Sequence, residues 1–325
     1  MTVQNKHLAA LKDNPKYIYS FVTKQYFIEM KNKSEIADEL GISRFKVARL
    51  ITEAIEKEYV RFIFPKLQDL DDEIAHNLKT RYGLKDAVVL SMLDSYEDQA
   101  LLTDKLGMVT SDYLCKILQK EMKVGIAWGK VLSSVIAKLH DLPPVDVIQL
   151  SGVHPKIQFN QGPIDLVHKM ASLTQGKAYP IYLPMWVENE ETVAQLVNDP
   201  YVAEARKFYS QLDVVITGIG DWKSHSTSLQ KIFPTTWVTE LERQDIRADI
   251  CTTFVDSNGH IIPSPLEKLG FSISAENLQK TPNVIGVAGG QEKYDGILAS
   301  LKSGLLDTLI TDFYTAIKLL DEKNG

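Results

Sequence analysis

The chain has 325 residues, 44% of them hydrophobic and 24% charged, which bounds it to about two globular domains with sizeable cores. Cys115 and Cys251 follow no metal-ligand or CxxC spacing and read as buried thiols of a reducing compartment. No apolar run matches a signal peptide or a membrane span of about 20 residues, so the expectation is a cytoplasmic protein with no membrane partner, metal or cofactor. The net charge of −6 is unevenly spread: residues 1–66 hold 12 Lys and Arg against 8 Asp and Glu, and the remainder 24 against 34. A small basic module joined to a large acidic one places any phosphate contact at the front end, although many enzymes are as asymmetric.

Tyr17 to Met30 reads as an apolar helix. From Lys33 the chain runs KSEIADELGISRFKVARLITEAIEKEYVRFIF. Ser34 is an N-cap candidate, Ile36, Ala37 and Leu40 share one face, and Gly41 supplies a tight exit. Ser43 then caps a second helix in which Val47, Leu50, Ile51, Ala54 and Ile55 form an amphipathic stripe. A small residue at Ala37, a turn glycine at Gly41 and an apolar anchor at Val47 make the spacing of a helix-turn-helix, whose second helix enters the major groove of DNA. Ser34, Ser43, Arg44, Lys46 and Arg49 are the candidate DNA contacts, with Arg44 suited to a guanine edge and the cations to phosphates. Tyr59–Phe64 reads as a strand, the wing of a winged variant. The competing reading is an ordinary amphipathic helix pair with a solvated cationic face.

Leu67 to Tyr82 reads as a connecting helix. Beyond it strands and helices alternate, with strands expected at Ala87–Ser91, Lys123–Ala127, Val145–Leu150, Ala178–Leu183, Leu212–Thr217, Cys251–Val255, Val284–Ala288 and Thr308–Ile310. Several are continuous apolar runs, as in parallel strands buried on both faces, and the expected fold is an α/β, Rossmann-like, three-layered domain. Such sheets bind ligands at the carboxyl ends of their strands. The loops there supply Gly125, Trp128, Gly129, Lys130 and Val131; Ser151 and Gly152; Gly218 and Gly220; Asp256; and Gly289, Gly290 and Lys293. Glycines permit close backbone approach, helix starts suit an anion, Asp256 suits sugar hydroxyls, and Lys293 suits a phosphate. Glycine-rich turns also occur for purely steric reasons. GxxxxGK[ST] and a clear GxGxxG are both absent, which turns the reading from nucleotides toward a small anionic polyol.

These residues carry a resemblance. SEIADELGISRFKVARLI, VGIAWGKVL, VDVIQLSG, VITGIG, DICTTFVDSNG and VIGVAGGQEKYDGILASLKSGLLDTLITD together resemble the SorC family of bacterial regulators over nearly the whole chain. The resemblance implies an N-terminal helix-turn-helix, here residues 1–66. Over residues 67–325 it implies an effector-binding and oligomerisation domain related to sugar-phosphate isomerases. Operator DNA, a phosphorylated sugar and a homotetramer, or dimer of dimers, are the implied partners. It carries the effector pocket onto the 125–131 loop, Ser151-Gly152, Asp256 and Lys293. Relatives commonly have Thr or Ser where this chain has Val131, some have a lysine at Ser151, and many read GAVGD where this chain has Asp245–Asp249. The resulting expectation is a non-enzymatic regulator, usually a repressor, of a carbohydrate operon. The alternative is a sugar-phosphate isomerase or deaminase with an accessory DNA-binding module, for which Asp256 is the one candidate base, with no evident His partner. His154, His168 and His225 read as surface or capping groups. Trp128 reads as a sugar-stacking or core side chain, and Trp186, Trp222 and Trp237 as pocket lining or subunit contacts.

Overall fold

The structure, a computed structural model, describes residues 15–57, 59–60, 70–91, 98–157 and 162–322. The chain divides into two compact units, Met1–Leu67 and Gln68–Gly325.

The first unit contains α1 (Pro15–Phe27), α2 (Lys33–Leu40) and α3 (Arg44–Glu56). Its core is Tyr19, Val22, Ile36, Ala37, Leu40, Val47, Leu50, Ile51 and Ala54, the apolar stripe expected from spacing except for Ile55, which turns past the edge of the buried side and is exposed. Gly41 adopts φ 60°, and the backbone N–H groups of Gly41 and Ile42 close the helix end onto Asp38 and Ala37. That left-handed step is why a glycine stands there. The cap of α2 differs from expectation. Asn32, not Ser34, accepts the N–H groups of Ser34 and Glu35, and the Glu35 carboxylate reaches back to the Asn32 N–H at 2.8 Å. This capping box starts the helix one residue before Ser34, which is thereby its second residue. Ser43 caps α3 as expected, accepting from the Lys46 N–H. Most of the wing expected at Tyr59–Phe64 lies outside the described residues.

The second unit is built on a seven-stranded sheet. In chain order the strands are β1 (Asp86–Leu90), β2 (Lys123–Ile126), β3 (Asp146–Gln149), β4 (Ala178–Tyr179), β5 (Val214–Gly218), β6 (Gly220–Asp221), β7 (Ile246–Ile250), β8 (Thr253–Asp256), β9 (Ile261–Ile262), β10 (Asn283–Val287) and β11 (Thr308–Asp312). The large sheet is ordered β1-β11-β10-β5-β2-β3-β4 and every pairing in it is parallel. Two sets of helices cover it. The helices α5 (Gln99–Ile117), α6 (Lys130–Lys138) and α7 (Pro163–Thr174) pack side by side. A second contiguous set contains α4 (Asp72–Tyr82), α8 (Tyr294–Lys302) and α9 (Phe313–Asp321). The central strands are therefore buried along nearly their whole length, as a doubly covered parallel sheet requires.

Three expectations are corrected. Asp71 caps α4, so the helix begins at Asp72, while Leu70 bridges Leu90 in extended backbone. The strand expected at Ala178–Leu183 spans only Ala178–Tyr179, because Pro180 has no N–H to continue the ladder. Cys251–Val255 does not join the parallel sheet. Cys251 and Thr252 turn the chain with φ 48° and 68°, and β7 and β8 pair antiparallel on either side of them. The sheet β6-β7-β8-β9 that results is covered by α8 and has its own core of Trp222, Phe233, Phe254, Leu229 and Leu266.

The strand order creates a switch point. From β2 the chain proceeds to β3 and β4 on one side, and from β5 it proceeds to β10 and β11 on the other. The carboxyl ends of β2 and β5 thus open a crevice between loops that diverge, where open α/β sheets take their ligands.

Candidate functional site

In the first unit, α3 turns Val47, Leu50, Ile51 and Ala54 inward and leaves Ser43, Arg44, Lys46 and Arg49 exposed. The structure thus gathers four of the five expected DNA contacts on one helix. Ser34 is exposed on the start of α2. Arg49 Nε lies 3.4 Å from Glu53, whose carboxylate also accepts the Tyr19 hydroxyl at 2.6 Å. The Tyr19 bond, with the charges of Lys57 and Arg49, holds Glu53 below the usual carboxylate range although partial burial opposes it. Arg49 is therefore positioned by a carboxylate that is itself fixed to α1. Arg44 and Lys46 have no carboxylate partner among the described residues, so their charge is available to a polyanion.

In the second unit, the switch point brings together the β2 and β5 loops. Gly129 takes φ 122° and begins α6, and no side chain caps that helix. By contrast α5, α9 and α4 are capped by Asp98, Asp312 and Asp71. The orphan N–H groups of the first turn of α6, with their helix dipole, are an anion-binding arrangement. Lys130 is exposed beside them, and Val131 lies against Gly218, where an added Cβ would be 3.5 Å from the valine methyl. Gly125 is inside β2, where a Cβ would stand 2.7 Å from Leu150, so it serves packing. Trp128 donates its indole N–H to the Ser228 hydroxyl at 3.2 Å and packs against both the sheet core and the aromatic core.

Ser151 and Gly152 leave the end of β3 and pair with the 271–273 segment; the Gly152 N–H donates to the Phe271 carbonyl at 2.7 Å. The Ser151 hydroxyl bonds the Gly152 carbonyl. Ser272, bridged to Ser151, carries a buried hydroxyl with no hydrogen-bond partner among the described residues. A buried hydroxyl left unpaired costs about 1 to 3 kcal/mol, and a ligand hydroxyl at the strand ends would satisfy it.

Lys293 is not a free point charge. Its ammonium donates to the carbonyls of Ile219 and Ser226, both at 2.8 Å, tying the β10 loop to the β5 loop and to the serine-rich segment after it. Burial pushes the Lys293 ammonium below its usual pKa, against the opposing charges of Asp249, Asp221 and Glu292. Asp249 is buried and accepts from the Trp222 indole at 2.8 Å and from the Thr227 hydroxyl. Burial raises its carboxyl despite Thr227, Lys293 and Trp222. Asp221 accepts from Ser224 and from the Gly296 N–H in the first turn of α8. An added Cβ at Gly220 would strike the Asp249 carboxylate at 2.1 Å, so Gly220 admits that acid. Gly290 donates to the Asp312 carboxylate at 2.7 Å, and Gly289 lies against the same carboxylate. Their backbone is consequently committed within the protein.

Asp256 is not brought to this crevice. It pairs with Ile246 at the far end of the β7–β8 ladder, and its turn packs through Gly259 on Lys302, at the end of α8 opposite Lys293. Nine helical residues separate the two by about 13 Å. Its carboxylate accepts the Asn258 and His260 N–H groups at 2.8 Å, and His260 Nδ1 lies 3.1 Å away. The acid thus has the histidine partner that spacing did not reveal, in a surface turn. Ser226, Ser228, Asp249, Asp221 and Ser272 accompany the candidate site in the fold and were not singled out from the sequence. The available signals were the serine cluster Ser224–Ser228 after a strand and an acid at Asp249 among buried apolar positions.

The remaining candidates are structural. Trp222, Trp186 and Trp237 surround Phe233 with ring centroids 5.4 to 6.4 Å apart; Trp222 is buried in this cluster, and Trp186 and Trp237 pack on it half-buried. His154 stacks on Trp186 at 4.9 Å, with its pKa lowered by burial and then by Lys156. His168 meets the Tyr182 hydroxyl. Burial drives the Cys251 thiol up to about 12. Among the described residues no cluster of three or more His, Cys, Asp or Glu could hold a metal ion, and no helix is long and apolar enough to cross a membrane.

Comparison with known proteins agrees with this architecture. The family model described as "Putative sugar-binding domain" matches residues 68–321, most of the chain and nearly all of the second unit. The chain belongs to the SorC family. It is 24% identical over 311 residues to the sorbitol operon regulator of Klebsiella pneumoniae, covering 92% of this chain and 96% of that one. It is also 24% identical over 300 residues to the deoxyribonucleoside regulator of Bacillus subtilis, covering 91% and 95%. The fold matches the crystal structure of the full-length Klebsiella pneumoniae SorC with a TM-score of 0.81 at 22% identity, over 94% of this chain and 98% of that one. Both of these curated relatives, which align over nearly the whole of this chain, are named as regulators.

Proposed function

We propose that the chain regulates transcription of a carbohydrate operon, binding operator DNA through α3 and a phosphorylated sugar at the switch point of the second unit. The observation that carries the sugar-phosphate half is the uncapped start of α6 at the carboxyl end of β2, beside Gly218 of β5. A phosphate there accepts the orphan N–H groups, with Lys130 adding charge, and the sugar hydroxyls reach toward Ser151, Ser272 and Trp128. Val131 offers no hydroxyl, so the backbone carries this contact. Lys293 positions the β5 loop rather than meeting the ligand, and Asp256 is left out of the site. Names of the relatives, which regulate sorbitol and deoxyribonucleoside genes, support a carbohydrate operon as the target.

The reading assigns no catalysis. Isomerisation needs a base beside the substrate carbon, whereas Asp221 and Asp249 are occupied by internal donors and Asp256 is remote. Repression through a homotetramer that changes its DNA affinity on binding sugar is the mode of action proposed.

A thermal-shift screen of phosphorylated sugars against their parent sugars tests the site. The expected result is a raised melting temperature with at least one phosphorylated sugar, lost in Val131→Glu, whose carboxylate competes for the helix start. In Arg44→Ala/Arg49→Ala the shift persists while DNA binding disappears. Stabilisation by parent sugars alone, or an undiminished shift in Val131→Glu, overturns the assignment.

A further inference from the structure

Phe45 is 87% exposed, the most exposed of the large hydrophobic side chains among the described residues. Its position on α3 is more telling than its exposure. At 100° per residue, Val47, Leu50, Ile51 and Ala54 define the buried side of the helix, and the diametrically opposite stripe is Phe45, Arg49 and Thr52, with Glu56 on it at the far end of the helix. Arg44 and Lys46 flank that stripe on either side, one residue before Phe45 and one after it. An exposed phenyl ring in the first turn of a helix gains nothing from water. Its three cationic neighbours argue against an apolar protein partner, since Arg44, Lys46 and Arg49 would all need to be desolvated there. They are complementary to the phosphates on the two walls of a DNA groove.

We propose that Phe45 is a base-reading residue of the operator complex, its ring resting on the 5-methyl group of a thymine in the major groove. The proposal builds on the DNA-binding role of α3 and adds a sequence determinant to it. With the stripe centred in the groove, Phe45 and Arg49 face base edges, and Arg44 and Lys46 reach the phosphates on either side. Arg49 is the guanine reader in this arrangement, since it shares the central stripe and Arg44 does not. The thymine methyl is the one apolar group on a major-groove base edge, which is why a phenyl ring selects for it.

The test uses the full chain. Duplexes preferred by the protein are selected from a random pool, each thymine is replaced in turn by deoxyuridine, and affinities are read by fluorescence anisotropy at fixed salt. One thymine in each half-site is expected to matter to the wild type, with a loss of about fourfold on removing its methyl, equivalent to about 0.8 kcal/mol. Phe45→Ala loses that sensitivity and binds the thymine and deoxyuridine duplexes alike. Phe45→Leu keeps it in part, and both variants retain the wild-type response to phosphorylated sugar. The proposal is overturned if no deoxyuridine position separates wild type from Phe45→Ala, or if Phe45→Ala weakens all duplexes by one common factor. If the wild type enriches no duplex, the DNA-binding role of α3 falls and this proposal with it, a result distinct from DNA binding that ignores the methyl.

Discussion

Replacing Lys293 by methionine separates a positioning lysine from a ligand-binding one. The ammonium makes two hydrogen bonds of 2.8 Å, to Ile219 and Ser226, and faces the buried carboxylates of Asp249 and Asp221. Hydrogen bonds to a charged group contribute about 1.5 to 3 kcal/mol each, and removing one partner of a buried charge cluster costs about 3 to 5 kcal/mol. Lys293 is only partly buried, so the low end, about 3 kcal/mol, is the expectation. For a unit of this size that lowers the ligand-free melting temperature by about 6 to 12 °C. Asp249→Asn in the Lys293→Met background recovers part of the loss, because a neutral amide oxygen still accepts from Trp222 and Thr227 without an uncompensated charge. Scanning calorimetry of the wild type, Lys293→Met, Asp249→Asn and the double variant gives the coupling directly. A Lys293→Met protein that melts within about 2 °C of wild type, yet no longer responds to phosphorylated sugar, would refute the reasoning and return Lys293 to the ligand.

Three further outcomes follow from the geometry. Gly41→Ala meets open space but keeps φ near 60°, so the first unit loses about 1 to 2 kcal/mol in urea unfolding while the second is unaffected. Asp256→Asn leaves the sugar-phosphate response intact. In the wild type, burial alone would raise this carboxyl, but the bonds from His260 and Asn258 prevail and lower it. A depressed carboxyl stabilises the fold above its unfolded pKa of about 3.9 and loses that contribution as pH falls through the folded value. The wild-type advantage over Asp256→Asn, under about 1 kcal/mol, therefore narrows on acidification below about pH 4. Arg44→Ala weakens all DNA sequences similarly and reduces the slope of log affinity against log salt by about one, whereas Arg49→Ala relaxes preference at one base pair.

Periodic features were legible in the sequence and conformationally unusual ones were not. The inward stripe of α3, the turn at Gly41 and the buried strands β5, β10 and β11 follow from apolar spacing, which the fold preserves. The hairpin at Cys251-Thr252 was illegible because two residues with side chains occupy left-handed backbone where Asn-Gly or Gly is the usual signal. The cap of α2 lies two residues before the expected Ser34 because Ser34 and Asn32 are both competent caps, and only the Glu35 carboxylate decides between them. At the candidate site, the Gly125–Val131 and Gly218 loops are legible as the ends of β2 and β5, because strand ends are predictable. Asp256 was misplaced because a turn acid after a strand looks alike at either end of a sheet, and only the antiparallel pairing of β8 shows which end it is. Phe45 lies outside the apolar stripe that spacing defines, and it is its exposure in the structure that singles it out.

The central claim is that the sugar site and the DNA-binding helix are energetically linked. The most direct measurement is the affinity of the full chain for a selected operator duplex, with and without a saturating phosphorylated sugar that raises its melting temperature. The account predicts a change of at least about fivefold, and the same factor when sugar affinity is measured with and without the duplex. Equal DNA affinity in both conditions, with the sugar demonstrably bound, would contradict it.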